Sequence, residues 1–473
     1  MFSTLTDPAN GCVPWNPMGI GVNDLLAKQY LLGTAHADQA TRQTVYAVSI
    51  TGEPFSSWAG PVSLALSSEY RKEEAAVQSD PIAQQSLWRS GNLQPLDAGY
   101  HVMEAAVETL VPLASDLPLV EEWNLSAAFR ATDYEISGMV GTWKIGTTYA
   151  PIPDVRFRAT LSRDIRAPNI SELFQAHNFG LTATYDPETN TTPTHGRTQR
   201  GNLGLKPEKA DSVTVGVVLQ PSFAPGLSLS VDYWEVDLRD AITLIGGSQL
   251  INLCYQGRTD FCSKITRVNG VITTVEQGNY NFASQRVSGV DIAANYGFPL
   301  SSLIERCKGD VAIRIAGTHY IENITEDGIT PPDDSVGTIG GAPETILKTS
   351  LGYVVGKLSA TLTARTFTDV VPDNDYIECT AGCPASTVYQ RTFDRLGSKG
   401  ATYLDASVSY GIRGLFGPGE ARIFLNVRNL FNKDPELTPQ IGTSGLGYIY
   451  SRSQNGRWDK LGRLFRAGVT YRF

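Results

Sequence analysis

No stretch of this chain approaches the ~18 consecutive apolar residues that a membrane-spanning helix needs. That does not exclude a membrane protein, because a transmembrane barrel carries its apolar residues at every second position of its strands. Charged residues make up 18%, below the roughly 25% of ordinary domains. The net charge of −9 argues against nucleic acid as a partner. The five histidines (His36, His101, His177, His195, His319) are scattered without metal-ligand spacing. Gly442-Thr443-Ser444-Gly445-Leu446-Gly447 is not a phosphate loop, because no Lys-Ser/Thr follows it. No catalytic constellation, metal site or cofactor motif emerges, so an enzyme is not expected. The start, Met1-Phe2-Ser3-Thr4-Leu5-Thr6-Asp7-Pro8, has neither a basic n-region nor an apolar h-region and does not read as a signal peptide.

What the chain does have is 45 Gly, 26 Pro, 20 Tyr and 17 Phe in 473 residues, and a period of two. Its last strand carries Phe465, Ala467, Val469, Tyr471 and Phe473 on one face and Arg466, Gly468, Thr470 and Arg472 on the other. The same alternation marks Phe157-Ala159-Leu161, Val213-Val215-Val217-Leu219, Leu227-Leu229-Val231-Tyr233, Leu358-Ala360-Leu362-Ala364 and Leu404-Ala406-Val408-Tyr410. About fifteen strands are expected, near 41–52, 60–73, 100–111, 121–133, 138–150, 153–166, 208–220, 226–240, 281–297, 309–322, 343–356, 357–369, 400–412, 420–431 and 461–473. Connections alternate between short turns and long loops, with one tight turn near Tyr134–Ser137 on the long side. Short turns on one rim and long loops on the other mark an outer-membrane barrel. No fixed period points to a propeller. The fold class is all-β, a transmembrane antiparallel barrel over residues 41–473, preceded by a loop with a short helix over 1–40, Asn23 serving as its cap and Gly33 as its stop.

Four stretches carry a family likeness: Arg158-Ala159-Thr160-Leu161-Ser162-Arg163-Asp164-Ile165-Arg166-Ala167-Pro168-Asn169-Ile170-Ser171-Glu172-Leu173-Phe174, then Gly201-Asn202-Leu203-Gly204-Leu205-Lys206-Pro207-Glu208, then Asn426-Val427-Arg428-Asn429-Leu430-Phe431-Asn432-Lys433, and the terminal strand ending Tyr471-Arg472-Phe473. In this order they resemble the TonB-dependent receptors of Gram-negative outer membranes, over roughly Thr41 to Phe473. The resemblance implies a 22-stranded barrel with a plugged lumen, so about 15 strands would be part of it, with some seven strands, the plug, the TonB box and the signal peptide expected to be missing. Met1 is then expected to be an internal start and the chain a C-terminal fragment. It implies TonB-driven uptake of a scarce small-molecule nutrient such as a siderophore, vitamin or carbohydrate. The partners would be outer-membrane lipid, the barrel assembly machinery and, through the missing N-terminal part, the TonB complex. Val469, Tyr471 and Phe473 look like the family's assembly signal. The rivals are a passive outer-membrane channel and a soluble β-rich binding protein.

Within that frame, Cys254 with Cys262 and Cys379 with Cys383 are candidate loop disulfides in an oxidising compartment, although six cysteines allow 15 pairings. The Cys254 loop looks like a bridged surface loop of the family. Arg156, Arg158, Arg314, Arg365, Arg428, Arg466 and Arg472 are expected to face the lumen, either lining an anion path or pairing with plug carboxylates. Glu326, Asp327, Asp333 and Asp334 read as a solvated acidic loop more readily than a Ca²⁺ site. Trp123, Trp143, Tyr149, Trp234, Tyr296 and Tyr410 read as interfacial girdle. Tyr255, Tyr376 and Tyr389 are loop aromatics within reach of a ligand.

Overall fold

Alternation of apolar and polar residues commits these segments to strands, and their pairing builds one antiparallel meander. The structure, a computed structural model, describes residues 11–472 apart from 12, 14, 17, 89–90, 328–330, 388–389, 414–418 and 438–456. The strands are β1 (Ala37–Ser57), β2 (Gly60–Ser79), β3 (Leu96–Leu117), β4 (Val120–Tyr134), β5 (Gly138–Ile152), β6 (Val155–Arg166), β7 (Glu208–Leu219), β8 (Leu227–Ile245), β9 (Val271–Pro299), β10 (Asp310–Glu326), β11 (Thr345–Val355), β12 (Leu358–Phe367), β13 (Ala401–Arg413), β14 (Glu420–Arg428) and β15 (Leu464–Arg472). Each pairs antiparallel with the next in chain order. All fifteen expected segments fall on strands. Several run further toward the long loops, most of all β9, which begins at Val271 rather than near 281. The sheet does not close: among the described residues β1 pairs along its length only with β2, and β15 only with β14.

Register carries the apolar residues onto one face. A single row runs Leu227, Tyr296, Ile313, Leu351, Leu362, Ala406, Val427 and Phe465 across β8 to β15. Another runs Leu66, Val107, Phe129 and Trp143 across β2 to β5. Val231, Leu351, Val408 and Ile423 are all more than two-fifths exposed, which in water would be an aggregation surface. On β3 the run from Met103 to Val111 covers about 26 Å of strand at ~3.3 Å per residue. Tilted, that is on the scale of the ~25 Å lipid-facing band of an outer-membrane barrel.

Aromatics edge the band on both sides. Toward the short turns, Trp123, Tyr149 and Phe157 face one another on β4, β5 and β6, with centroids 5.9 and 6.4 Å apart. Tyr296 and Phe298 lie at the same edge, 4.8 Å apart. Toward the long loops, Tyr46 stacks on Tyr70 and Tyr70 on His101. The short turns need few residues: Gly356 and Lys357 alone join β11 to β12, with Gly356 at φ 56°, a left-handed conformation suited to glycine.

Ahead of the sheet lies a helix over Leu25–Leu31. Its cap is Asp24, which accepts the Ala27 N–H at 2.8 Å. Asn23, the expected cap, instead bonds Asn16, and the helix ends at Leu32 rather than Gly33.

The two faces make opposite predictions at adjacent residues. Leu362→Arg, on the apolar face, is expected to destabilise the membrane-inserted protein by about 2–4 kcal/mol. Thr361→Arg, on the polar face, is expected to cost less than about 1 kcal/mol. Thermal unfolding of the two variants in outer-membrane vesicles checks this, and equal losses would reject the facial assignment.

Candidate functional site: the polar wall and its loops

The face opposite the apolar band is a polar wall. Parity places Arg156, Arg158, Arg314, Arg365, Arg428, Arg466 and Arg472 on it. Four of the seven meet carboxylates of this same chain. Arg156 lies 2.7 Å from Glu122, and Arg428 3.4 Å from Asp459. Arg158 clamps Asp232 through two bonds of 2.6 Å. Arg365 grips Asp405 at 2.7 and 3.2 Å and lies over the Tyr403 ring. Arg466 sits over the Phe424 ring, and Arg472 faces Glu420 in register. Four of these guanidiniums are thus paired with carboxylates of the same chain.

Glycines let side chains two strands apart meet on this wall. Arg158, Gly216 and Asp232 form one cross-strand row over β6, β7 and β8, and a Cβ on Gly216 would overlap the Asp232 carboxylate. A second row is Trp234, Gly289 and Tyr320 over β8, β9 and β10. Trp234 thus belongs to the inner wall rather than the girdle. Its neighbour Tyr233 points outward with Val231, so period-two reading past Tyr233 puts Trp234 on the opposite face.

The family-like stretches build the loops. Arg166 donates two bonds of 2.7 Å to Glu208 and reaches Glu172 at 3.0 and 3.1 Å. Glu172 completes a capping box with Asn169 at the start of the helix Ile170–Phe174. That helix lies against β2 and β3, so the chain leaving β6 passes over the hairpin of β4 and β5. The hairpin's tight turn, the exception among the long-side connections, leaves it room. Asn202 holds Glu172 and Asn279, and Asn281 bonds both Lys206 and Asp240. This ties the loop after β6 to the loop-side ends of β8 and β9.

The same two loops fold into a cap. Strands Asn178–Ala183 and Thr194–Gln199 pair with each other, and the second pairs parallel with β9. Ile245, Leu250, Ile251, Leu253, Phe261, Ile272 and Val275 form its buried core, closed by a Cys254–Cys262 disulfide with a Cα separation of 4.8 Å. Asp186 is fully buried and accepts bonds of 2.6 and 2.9 Å from Arg267. The Arg267 guanidinium, helped by Thr189 and the Glu188 N–H, holds its carboxyl down at about 2.

A second cluster covers β12 to β15, with Val370, Ala401, Tyr403 and Trp458 buried together. Asn429, at φ 52° and buried, turns the chain after β14 by holding the Lys433 N–H and carbonyl at 2.8 and 3.0 Å. Cys379 and Cys383 form a second loop disulfide. Asp333 is pushed above the usual carboxylate range by burial and by Asp373, Asp375 and Asp334. No group of three metal-binding side chains occurs among the described residues. Val469 and Tyr471 point to the apolar face of β15; Phe473, Tyr389 and the Gly442–Gly447 stretch lie outside the described residues.

An antiparallel meander with a girdled apolar face, a polar inner wall and loop caps on one rim defines the wall of a transmembrane β-barrel. The chain belongs to the TonB-dependent receptor family: residues 21–430 match the family model described as TonB dependent receptor-like, beta-barrel. Its fold is similar to a double mutant of the ferric enterobactin receptor of Pseudomonas aeruginosa, with a TM-score of 0.60 at 15% identity, over 92% of this chain and 54% of that one. It is also similar to the siderophore receptor PirA of Acinetobacter baumannii, with a TM-score of 0.57 at 12% identity, over 92% and 55%. The chain therefore spans about half the length of the structures it matches. No curated protein matches it in sequence.

Two predictions follow from wall and cap. Gly216→Ala is expected to separate Arg158 from Asp232 and destabilise the protein by about 1–3 kcal/mol. Gly352→Ala, where the nearest atom to a new Cβ is 3.6 Å away, should leave the unfolding temperature unchanged. For Asp186 the folded-state pKa lies below the unfolded one, so its stabilisation is complete above about pH 4 and lost as the pH falls toward 2. The shift corresponds to about 2 kcal/mol. Amide exchange of residues 178–199 should therefore accelerate over that window, and Asp186→Asn should flatten the dependence.

Proposed function

We propose that the chain is the wall and vestibule of an outer-membrane receptor that takes up a scarce small nutrient, a siderophore, vitamin or carbohydrate, with TonB-linked energy. Members of this family are transporters rather than enzymes, and they reside in the Gram-negative outer membrane. The observation that carries the reading is the pairing of a girdled, lipid-scaled apolar face with a self-neutralised polar wall beneath folded loop caps. A soluble binding protein has no use for the first. A simple aqueous channel has no use for two loop clusters with their own buried cores.

The fifteen strands are proposed to be part of a larger closed barrel, in which further strands pair with the free edges of β1 and β15. A plug in that barrel would meet the polar wall, and the barrel assembly machinery would recognise Val469, Tyr471 and Phe473. The test is uptake by a strain lacking the gene, offered labelled ferric siderophores, cobalamin and oligosaccharides. One of these should fail to accumulate, and a protonophore should abolish its uptake in the parent strain. Unchanged uptake of all of them would reject the proposal.

A further inference from the structure

The wall carries one aromatic feature that its packing does not require. Trp234 and Tyr320 stand on β8 and β10, with Gly289 of β9 directly between them in register. Strands two apart lie about 9.5 Å apart, yet the ring centroids are only 6.0 Å apart, at an interplanar angle of 87°. The approach is possible because position 289 has no side chain. A Cβ there would lie 2.9 Å from the indole Cζ2 and 2.8 Å from the His319 carbonyl oxygen. The backbone beside it is also adapted: the register slips between Ser288 and Gly289, leaving Ile321 as an extra residue next to Tyr320. Bulges of this kind re-aim neighbouring side chains. The indole therefore leans over the glycine, with the phenol ring standing at its edge.

The surroundings leave this corner as the free contact. Below it Arg158 and Asp232 are spent on each other, as are Asp291 and Thr318 at 2.6 Å, and above it Gln285 donates to Asn323 at 2.7 Å. The shielded indole N–H has no partner among the described residues. The height is set by Tyr233, the adjacent outward residue, after which β8 continues outward with Glu235, Asp237 and Arg239 rather than apolar residues. Trp234 thus sits at the loop-side edge of the lipid band, on the stretch of wall below the caps.

We propose that Trp234 and Tyr320 form a ring-binding corner that selects a nutrient carrying a flat aromatic face, stacked on the indole with its edge against the phenol. This rests on the receptor reading above and names the ligand chemistry at that site. An L-shaped aromatic pair offers both geometries that rings prefer.

The test uses the chromosomally encoded full chain in outer-membrane vesicles, with Trp234→Ala, Trp234→Phe and Tyr320→Ala variants. The probes are ferric enterobactin, an aromatic catecholate chelate, and ferric desferrioxamine, a ring-free trihydroxamate. Heat-dependent gel mobility confirms that each variant is folded. The expected result is binding of the catecholate, weakened about threefold to tenfold by Trp234→Ala or Tyr320→Ala and kept within about twofold by Trp234→Phe. Preference for the ring-free chelate, or catecholate binding that ignores both alanine variants, overturns the corner and leaves the receptor standing. Absence of binding by either chelate also overturns it, while the uptake experiment separately decides the fate of the receptor.

Discussion

Backbone hydrogen bonding without water governs this structure. In hydrocarbon each unpaired N–H or C=O costs several kcal/mol, so every strand crossing the bilayer must be paired along both edges. Inside the meander β2 to β14 satisfy that condition. Among the described residues the outer edges of β1 and β15 do not, and a run of such groups amounts to tens of kcal/mol, more than the net stability of a folded domain. The number of strands sharpens the constraint. Fifteen is odd, so β1 and β15 run in the same direction, and joining them directly would make a parallel seam. Direct closure of these fifteen strands would therefore lack the antiparallel pairing that the rest of the meander keeps.

Pairing also decides which side chains can meet. Fixed register and a period of two send large apolar residues to lipid and leave short and charged ones on the wall. Contacts on that wall are then limited by strand spacing, since side chains on alternate strands start about 9.5 Å apart. Glycine on the middle strand removes the obstacle. Gly216 lets Arg158 reach Asp232, and Gly289 lets Trp234 meet Tyr320. The first brings opposite charges together in excellent geometry, the condition under which a partly shielded ion pair offsets its desolvation. The second brings two rings together edge to face on the wall.

The strands and the rim asymmetry were legible because both are one-dimensional signals. Alternation is local, and turn length is counted along the chain. Even the tight β4–β5 turn was visible as an exception, although its reason, the crossing loop that carries Ile170–Phe174, lies far away in sequence. The helix cap was misplaced by one residue because Asn23 and Asp24 are both good caps, and Asn23 is engaged by Asn16. Trp234 was misread for a different reason. Composition groups it with girdle aromatics, while parity with Tyr233 puts it inside. The Arg158–Asp232 and Asp186–Arg267 pairs join residues 74 and 81 positions apart, and no local pattern announces them.

The family-like stretches explain why class was readable and ligand was not. Arg166, Glu172 and Glu208 form a three-way clamp, and Asn429 folds the chain back on itself after β14. These residues are consumed in holding loops to strands, and their hydrogen-bonding capacity is filled by partners within the chain. They serve the attachment of loops to strands, so they speak for the architecture. A ligand must instead be met by groups left unspent, and those lie between the motifs. On this wall the Trp234 and Tyr320 pair is such a group.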